Sequence, residues 1–311
     1  MGDEMRKLSA ALLAAFMLLL LSCQDSSNDT AVIFVSVANS YSFPYYLSAT
    51  IPDQKAMRKQ IEYLAEEAGN DYTEYAFTQV GNALTLDGVS YSAGGVLDFL
   101  QSLDLGSDDL LIFYYSGHGS AEDEEGKGAT LYFDPTIAND QVYTDELIEA
   151  LASSGGKKWL ILDCCYSGAA VTGNSLYSSS VFSQVMLGTT LTYAWQGGDT
   201  ADSIKDAFSA SGSKTEGNDD IWVMAACSEL QESFEDSHGF FTAGLLDALG
   251  YNLDEECASD PSYSRLTFYK VFNEASQNTI ELLEEKAGST YASCQTPEST
   301  LSPVDLILFE L

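Results

Sequence analysis

The sequence predicts an α/β domain with a mostly parallel sheet, and three observations carry that prediction. Short apolar runs recur along the chain: AVIFVSV (31–37), DLLIFYYSGHG (109–119), KWLILDCCYSG (158–168) and IWVMAAC (221–227). Runs this continuous suit strands covered on both faces. Segments of helical periodicity separate them, and strands alternating with helices give a parallel sheet. Two of the runs also stop at small residues that deliver a reactive side chain, His118 in Ser-Gly-His-Gly and Cys165 in Asp-Cys-Cys-Tyr-Ser-Gly. Parallel sheets carry their working residues at the carboxyl ends of strands.

In chain order, AVIFVSV is the first strand. Pro52-Asp53 opens a helix with Met57, Ile61, Leu64, Ala65 and Ala68 on one face, closed by Gly69. YTEYAFTQV (72–80) reads as a second strand. A helix follows over about Ser92–Leu103, weakened by Gly94 and Gly95. After the His118 strand comes an acidic loop, AEDEEGKG (121–128), then ATLYF as a hairpin strand before Asp134-Pro135. Thr144 is placed to cap DELIEALAS, whose acidic first turn suits the helix dipole. The Cys165 strand is followed by a Ser-, Gly-, Thr- and Asp-rich connector or insertion over about 169–219, too long for an ordinary loop. IWVMAAC restores the strand pattern, helices are expected near 240–249 and 266–286, and DLILFE (305–310) supplies a last strand.

Residues 1–30 stand apart from the fold. Arg6 and Lys7 precede ALLAAFMLLLL, which ends at Ser22-Cys23. This is the architecture of a secretory signal, and Leu20-Leu21-Ser22-Cys23 resembles a bacterial lipobox in which Cys23 is lipidated. Residues 1–23 are therefore expected to be a lipoprotein signal, 24–30 a polar tether and 31–311 the domain. The protein is expected to be exported, in the periplasm or at the cell surface, meeting the membrane through a lipid anchor alone.

Thirteen basic against 47 acidic residues in a 311-residue chain give a formal charge of −34. That excludes nucleic acid as a partner, since phosphates need Lys and Arg, and electrostatic attraction to anionic lipid. The chain has six cysteines. Cys164 and Cys227 are expected as buried thiols, and Cys257 with Cys294 as a disulfide candidate in an oxidising compartment. With two histidines and no Cys-x-x-Cys, no metal site is expected.

A thiol and an imidazole at neighbouring strand ends suit acyl transfer. The thiolate is the nucleophile, the imidazole takes its proton and later protonates a leaving amine, and backbone N–H groups hold the oxyanion. Gly119 and Cys165 are the candidate oxyanion donors. From these residues alone, a structural role and a redox role for the Cys164–Cys165 pair stay open beside the catalytic one.

Ser116-Gly117-His118-Gly119 together with Asp163-Cys164-Cys165-Tyr166-Ser167-Gly168 closely resembles the caspase–metacaspase superfamily of cysteine peptidases. His118 precedes Cys165 by about 50 residues, near the caspase spacing. Looser matches extend the resemblance over 31–311, through AACSELQES, GFFTAGLLDAL and QTPEST. It implies a caspase-like α/β/α sandwich around a six-stranded sheet, His118 as general base and acid, and Cys165 as nucleophile. Asp163 matches the metacaspase aspartate that lines the pocket for Arg or Lys before the cut; it lies two residues before the nucleophile, hence on the same strand face. Glu235 is a second candidate for that pocket, and Asp53 a further source of acidity. Tyr166 stands where metacaspases commonly have His.

The implied reaction is peptide or protein cleavage without a cofactor. Calcium is known in some metacaspases; Glu122–Glu125 offers oxygen ligands but lacks the ordered spacing of a calcium loop. Lys205 and Lys214 are conceivable self-cleavage points. The rival readings are a catalytically silent caspase-fold binding module and a thiol redox protein. Oligomeric state is not legible.

Overall fold

The computed structural model describes residues 30–80, 83–121, 127–134, 140–171, 220–288, 293–300 and 305–311. The signal, Cys23, most of the tether, Glu122–Glu125, Lys205 and Lys214 lie outside the described residues. Strands β1 (Ala31–Ala38), β2 (Asp71–Val80), β5 (Leu110–Ser116), β9 (Lys157–Asp163) and β10 (Ile221–Ala225) form a parallel set in the spatial order β10-β9-β5-β1-β2. β12 (Glu298–Ser299) adds antiparallel to β10, completing the six strands expected. The hairpin β3 (Ala83–Leu86) and β4 (Val89–Tyr91) extends the β2 edge, so the sheet is eight-stranded among the described residues. Two small sheets flank it. β6 (Gly119–Ser120), β7 (Thr130–Tyr132) and β8 (Gln141–Tyr143) form one, with β7 the expected hairpin strand. The last strand, β13 (Ile307–Glu310), does not join the main sheet; it pairs with β11 (Arg265–Thr267).

The apolar runs are continuous because both sheet faces are covered. Val32, Phe34, Ile112, Tyr114, Trp159 and Met224 face one way, against helices α1 (Thr50–Glu67), α4 (Phe240–Ala248) and α5 (Phe268–Ala287). Val35, Val37, Phe113, Tyr115, Leu160 and Leu162 face the other way, against α2 (Ala93–Gln101) and α3 (Thr144–Ala152). Successive residues of each strand thus feed two cores, each large buried side chain contributing roughly 1.5–3 kcal/mol. This is the α/β/α sandwich.

The helix ends follow local chemistry. Pro52 sits in the first turn of α1, where a missing N–H costs nothing, and Gly69 takes the left-handed conformation just past its end (φ +71°). Ser92 caps α2, its Oγ accepting from the Gly95 N–H at 3.2 Å. At α3 the expectation is corrected. Thr144 is the first helical residue, its Oγ1 buried without a hydrogen bond, and the Glu146 carboxylate accepts the Tyr143 N–H at 3.2 Å. The first residues of the expected connector, Ala169 and Ala170, belong to a buried 3-10 turn, Ser167–Ala170.

Cys164 and Cys227 are buried thiols, as expected. Cys257 and Cys294 are also free, which corrects the disulfide pairing. Their surroundings differ: the Cys257 turn sits against α1, where Lys59 Nζ donates to the Glu256 carbonyl (3.0 Å), whereas Ser293 beside Cys294 accepts from Gln231 (2.9 Å).

The strand order turns at the centre. From β1 the chain winds towards β2, and from β5 it winds towards β9 and β10. In open sheets of this kind the crevice lies beyond the carboxyl ends of the two strands at the reversal. Here those ends lead to Asn39–Ala49 and to Ser116–Gly119, and Asp163 ends the next strand over.

Candidate functional site

The Ser-Gly-His-Gly loop is built on two tyrosines. Tyr41 Oη accepts the His118 N–H (2.9 Å) and donates to the Tyr132 carbonyl (2.5 Å). Tyr115 Oη lies 2.8 Å from both the His118 and Tyr132 carbonyl oxygens. The loop packs so tightly that a Cβ on Gly117 would overlap both hydroxyls. Burial raises both phenols, so they stay neutral and act as hydrogen-bonding posts. The Tyr41 ring also lies 4.7 Å from the imidazole of His118.

The imidazole itself is oriented by a backbone group. His118 Nε2 lies 2.7 Å from the Tyr45 carbonyl oxygen. A carbonyl only accepts, so Nε2 carries the proton and Nδ1 is left as the basic nitrogen. The same loop reaches the cleft mouth, where the Ser48 N–H and Oγ donate to Glu235 Oε1 (2.9 and 3.1 Å).

Strand β9 ends at Asp163, so the alternation expected to carry through to Cys165 stops two residues short of it. Asp163 and Cys165 nevertheless line one cleft, because the chain turns sharply at Tyr166 (φ +60°), whose N–H bonds the Gln231 carbonyl at 2.8 Å. Cys164 turns into the α2–α3 core. The Cys165 thiol points to the Ser233 carbonyl, with Sγ and O 3.8 Å apart. Burial holds it above the usual thiol range, and Glu232 and Asp163 add to that. The resting sulfur is therefore a protonated thiol. Gly119 runs directly behind: a Cβ there would overlap the Cys165 carbonyl oxygen.

The cleft, about 360 Å³ including its open mouth, is lined by His118, Cys165, Asp163, Glu235 and Asp53, among others. Asp163 is almost fully buried and accepts three neutral donors: Ser233 Oγ (2.8 Å), Thr242 Oγ1 (2.6 Å) and the Thr242 N–H (3.2 Å). Asp53, fully buried on α1, accepts the Gly239 N–H (3.0 Å) and His238 Nδ1 (2.5 Å). Burial pushes both carboxyls up, Asp53 to about 7, with the hydrogen-bond donors pulling partly back. Among the described residues no Lys or Arg lines the cleft. Two buried acids with a third at the mouth are costly without a cation.

The structure thus brings together His118, Cys165, Asp163, Glu235 and Asp53. Gly119 packs behind Cys165 but does not line the cleft. Sequence reasoning missed Tyr41, Tyr115, Tyr45, Ser233, Thr242, His238 and Gln295. Gln295 shapes the cleft wall: it is buried, donates to the Ala226 carbonyl (3.1 Å) and accepts the Phe234 N–H (3.0 Å). Its place in QTPEST, like those of Ser233 in AACSELQES and Thr242 in GFFTAGLLDAL, was the available signal; Tyr115 stands in the His118 run itself, and Tyr41 and Tyr45 stand in a segment whose composition marks no site. Among the described residues no group of three or more His, Cys, Asp and Glu is arranged to hold a metal ion.

The family model of the caspase domain (Peptidase_C14) matches residues 75–277, the span that holds both His118 and Cys165. The chain belongs to the caspase-domain family. That family is typically one of cysteine peptidases, and the fold is of that type. No curated protein sequence matches this chain. Among solved structures it is similar to protein GSU0716 from Geobacter sulfurreducens, with 15% identity over 88% of this chain and 95% of that one and a TM-score of 0.47. It is also similar to caspase-1 from Spodoptera frugiperda, with 12% identity over 91% and 92% and a TM-score of 0.49.

Proposed function

We propose that this caspase-domain chain is a cysteine endopeptidase that cleaves after Arg or Lys. The observation that carries the reading is a single cleft in which a thiol and an oriented imidazole stand over carboxylates, with no basic side chain among the described residues that line it. Cys165 is the nucleophile. Its thiol swings from the Ser233 carbonyl, and the proton passes to His118 Nδ1, the nitrogen left basic by the Tyr45 carbonyl. Sulfur then bonds the substrate carbonyl carbon. The resulting oxyanion is held by the N–H group of Cys165, the imidazolium protonates the departing amine, and water releases the acyl group from sulfur.

The carboxylates have a second effect. Burial holds the thiol pKa up and Asp163 adds to it, so a guanidinium or ammonium seated beside Asp163 favours the thiolate. Binding of a basic side chain and activation of Cys165 are thereby coupled. Asp163, Asp53 and Glu235 are the proposed recognition groups; a buried acidic site rejects uncharged side chains. No cofactor is proposed. The partner is a peptide or protein, and the leader supports export and anchoring through lipid on Cys23.

The test is cleavage of fluorogenic peptides ending in Arg, Lys or Asp by the full-length, fully reduced chain and its Cys165→Ala variant, with and without Ca²⁺. The expected result is turnover of the Arg and Lys peptides that falls at least about 10³-fold in the variant. Cleavage after Asp alone removes the role of Asp163. No cleavage of any peptide by folded protein favours the silent binding module.

A further inference from the structure

We propose that His238 is a protonation-dependent counter-ion for Asp53 that competes with the basic side chain of the substrate, so that the cleft takes Arg or Lys more tightly as pH rises. The inference rests on the basic-residue reading above and adds a control on it. It starts from how the two buried carboxylates are satisfied. Asp163 receives only neutral donors, from Ser233 and Thr242. Asp53 receives one backbone N–H, from Gly239, and the imidazole of His238 at 2.5 Å. Both acids converge on Gly239, where a Cβ would overlap Asp163 Oδ2 and lie 3.3 Å from Asp53 Oδ2. His238 is thus the group that brings positive charge to this acid pair, from the side of Asp53 away from the cleft.

The two sides of the ion pair differ in access to protons. The Asp53 side chain is 1% exposed, whereas His238 is 18% exposed and exchanges with solvent. Among the described residues the charges that act on His238 are negative: Asp53 from α1 and Glu256 from the turn after α4. Lys59 on α1 is engaged with the Glu256 carbonyl. The hydrogen bond to Asp53 raises the His238 pKa above the usual imidazole value of 6.5.

The sign follows directly. With His238 protonated, the Asp53–His238 pair is neutral, and an incoming guanidinium finds one buried charge, on Asp163, with an imidazolium behind it. With His238 neutral, Asp53 adds its full charge to the site. By linkage, seating a basic side chain expels the proton from the pair, and raising the pH lowers KM by up to about tenfold per unit until the pair is deprotonated.

The test compares KM and kcat for an Arg peptide between pH 6 and 9 in the full-length chain and in His238→Asn, whose side-chain amide keeps a neutral donor near the Nδ1 position. The expected result is a KM that falls with pH in both proteins, over a different pH range in the variant, where Asp53 holds the proton without an imidazole beside it. His118 is present in both proteins, so its own titration cancels. Because the chain has only two histidines, imidazole NMR on the Cys165→Ala variant gives an independent reading. His238 should titrate above 6.5, and its titration should move down when Nα-acetylarginine amide is added. KM profiles that coincide in the two proteins overturn the inference and leave the peptidase standing. Absence of cleavage after Arg and Lys overturns both. Should His238→Asn fail to fold, a His238 titration that does not respond to the arginine amide overturns the inference by itself.

Discussion

The buried Tyr41 Oη accepts the N–H of His118 at 2.9 Å. Tyr41→Phe leaves that N–H unsatisfied in a buried loop, at a cost of about 1–3 kcal/mol. The variant should melt lower, and kcat/KM should fall about tenfold as the imidazole loses its register on the Tyr45 carbonyl. Paired melting curves and kinetics check this. Glu298 is a second residue whose state is set by burial. Its Oε2 has no hydrogen-bond partner, Glu229 adds repulsion, and the carboxyl is pushed up to about 7 from 4.5. Between those values the folded chain keeps a proton that the unfolded chain has released. Stability therefore falls as pH climbs from about 4.5 to about 7, then levels off. Glu298→Gln should flatten that fall and stabilise the chain by about 3 kcal/mol at pH 8. Urea midpoints for both proteins at pH 5 and pH 8 measure it.

Between elements, the closest approach is that of α4 to α5. A Cβ on Gly244 would lie 2.7 Å from both the Ala275 carbonyl oxygen and Thr279 Oγ1, and 2.9 Å from the Thr279 N–H. Gly244→Ala gains about 1 kcal/mol of helix propensity, but overpacking against fixed backbone costs about 1–3 kcal/mol or more. Packing wins, and a net loss of about 1–2 kcal/mol is expected in denaturant midpoints. The strands were legible because a strand buried on both faces must be continuously apolar: β1 and β10 sit within two residues of their expected bounds, and β5 and β9 start within one residue of theirs but end before the glycines that close each run. The cap of α3 was not legible. Thr144 and Tyr143 differ by one position, and only the Glu146 contact tells which residue precedes the helix. The partner of β13 was equally hidden: pairing with β11 depends on how α5 folds back, which no local pattern encodes.

For the whole molecule, 47 acidic and 13 basic side chains make self-repulsion the dominant long-range term. Salt screens it over roughly 10 Å at 0.1 M, so the melting temperature should rise as NaCl goes from 0.02 to about 0.5 M. A melting temperature that stays flat or falls would mean that the acids are already offset locally. The amino-acid order by itself determined the α/β class, the strand ends and the two residues, His118 and Cys165, placed at them. It could do so because an apolar run and the glycines that stop it are neighbours in the chain. Only the tertiary structure decided what surrounds them. Asp53 and His238 stand 185 residues apart in the chain and 2.5 Å apart in space. The loop that carries Tyr45 reaches His118 across the sheet, and Asp163 meets Thr242 from another helix. Such contacts are fixed by the reversal of strand order between β1 and β5 and by the burial it enforces, and burial, not residue type, sets the charge of the cleft.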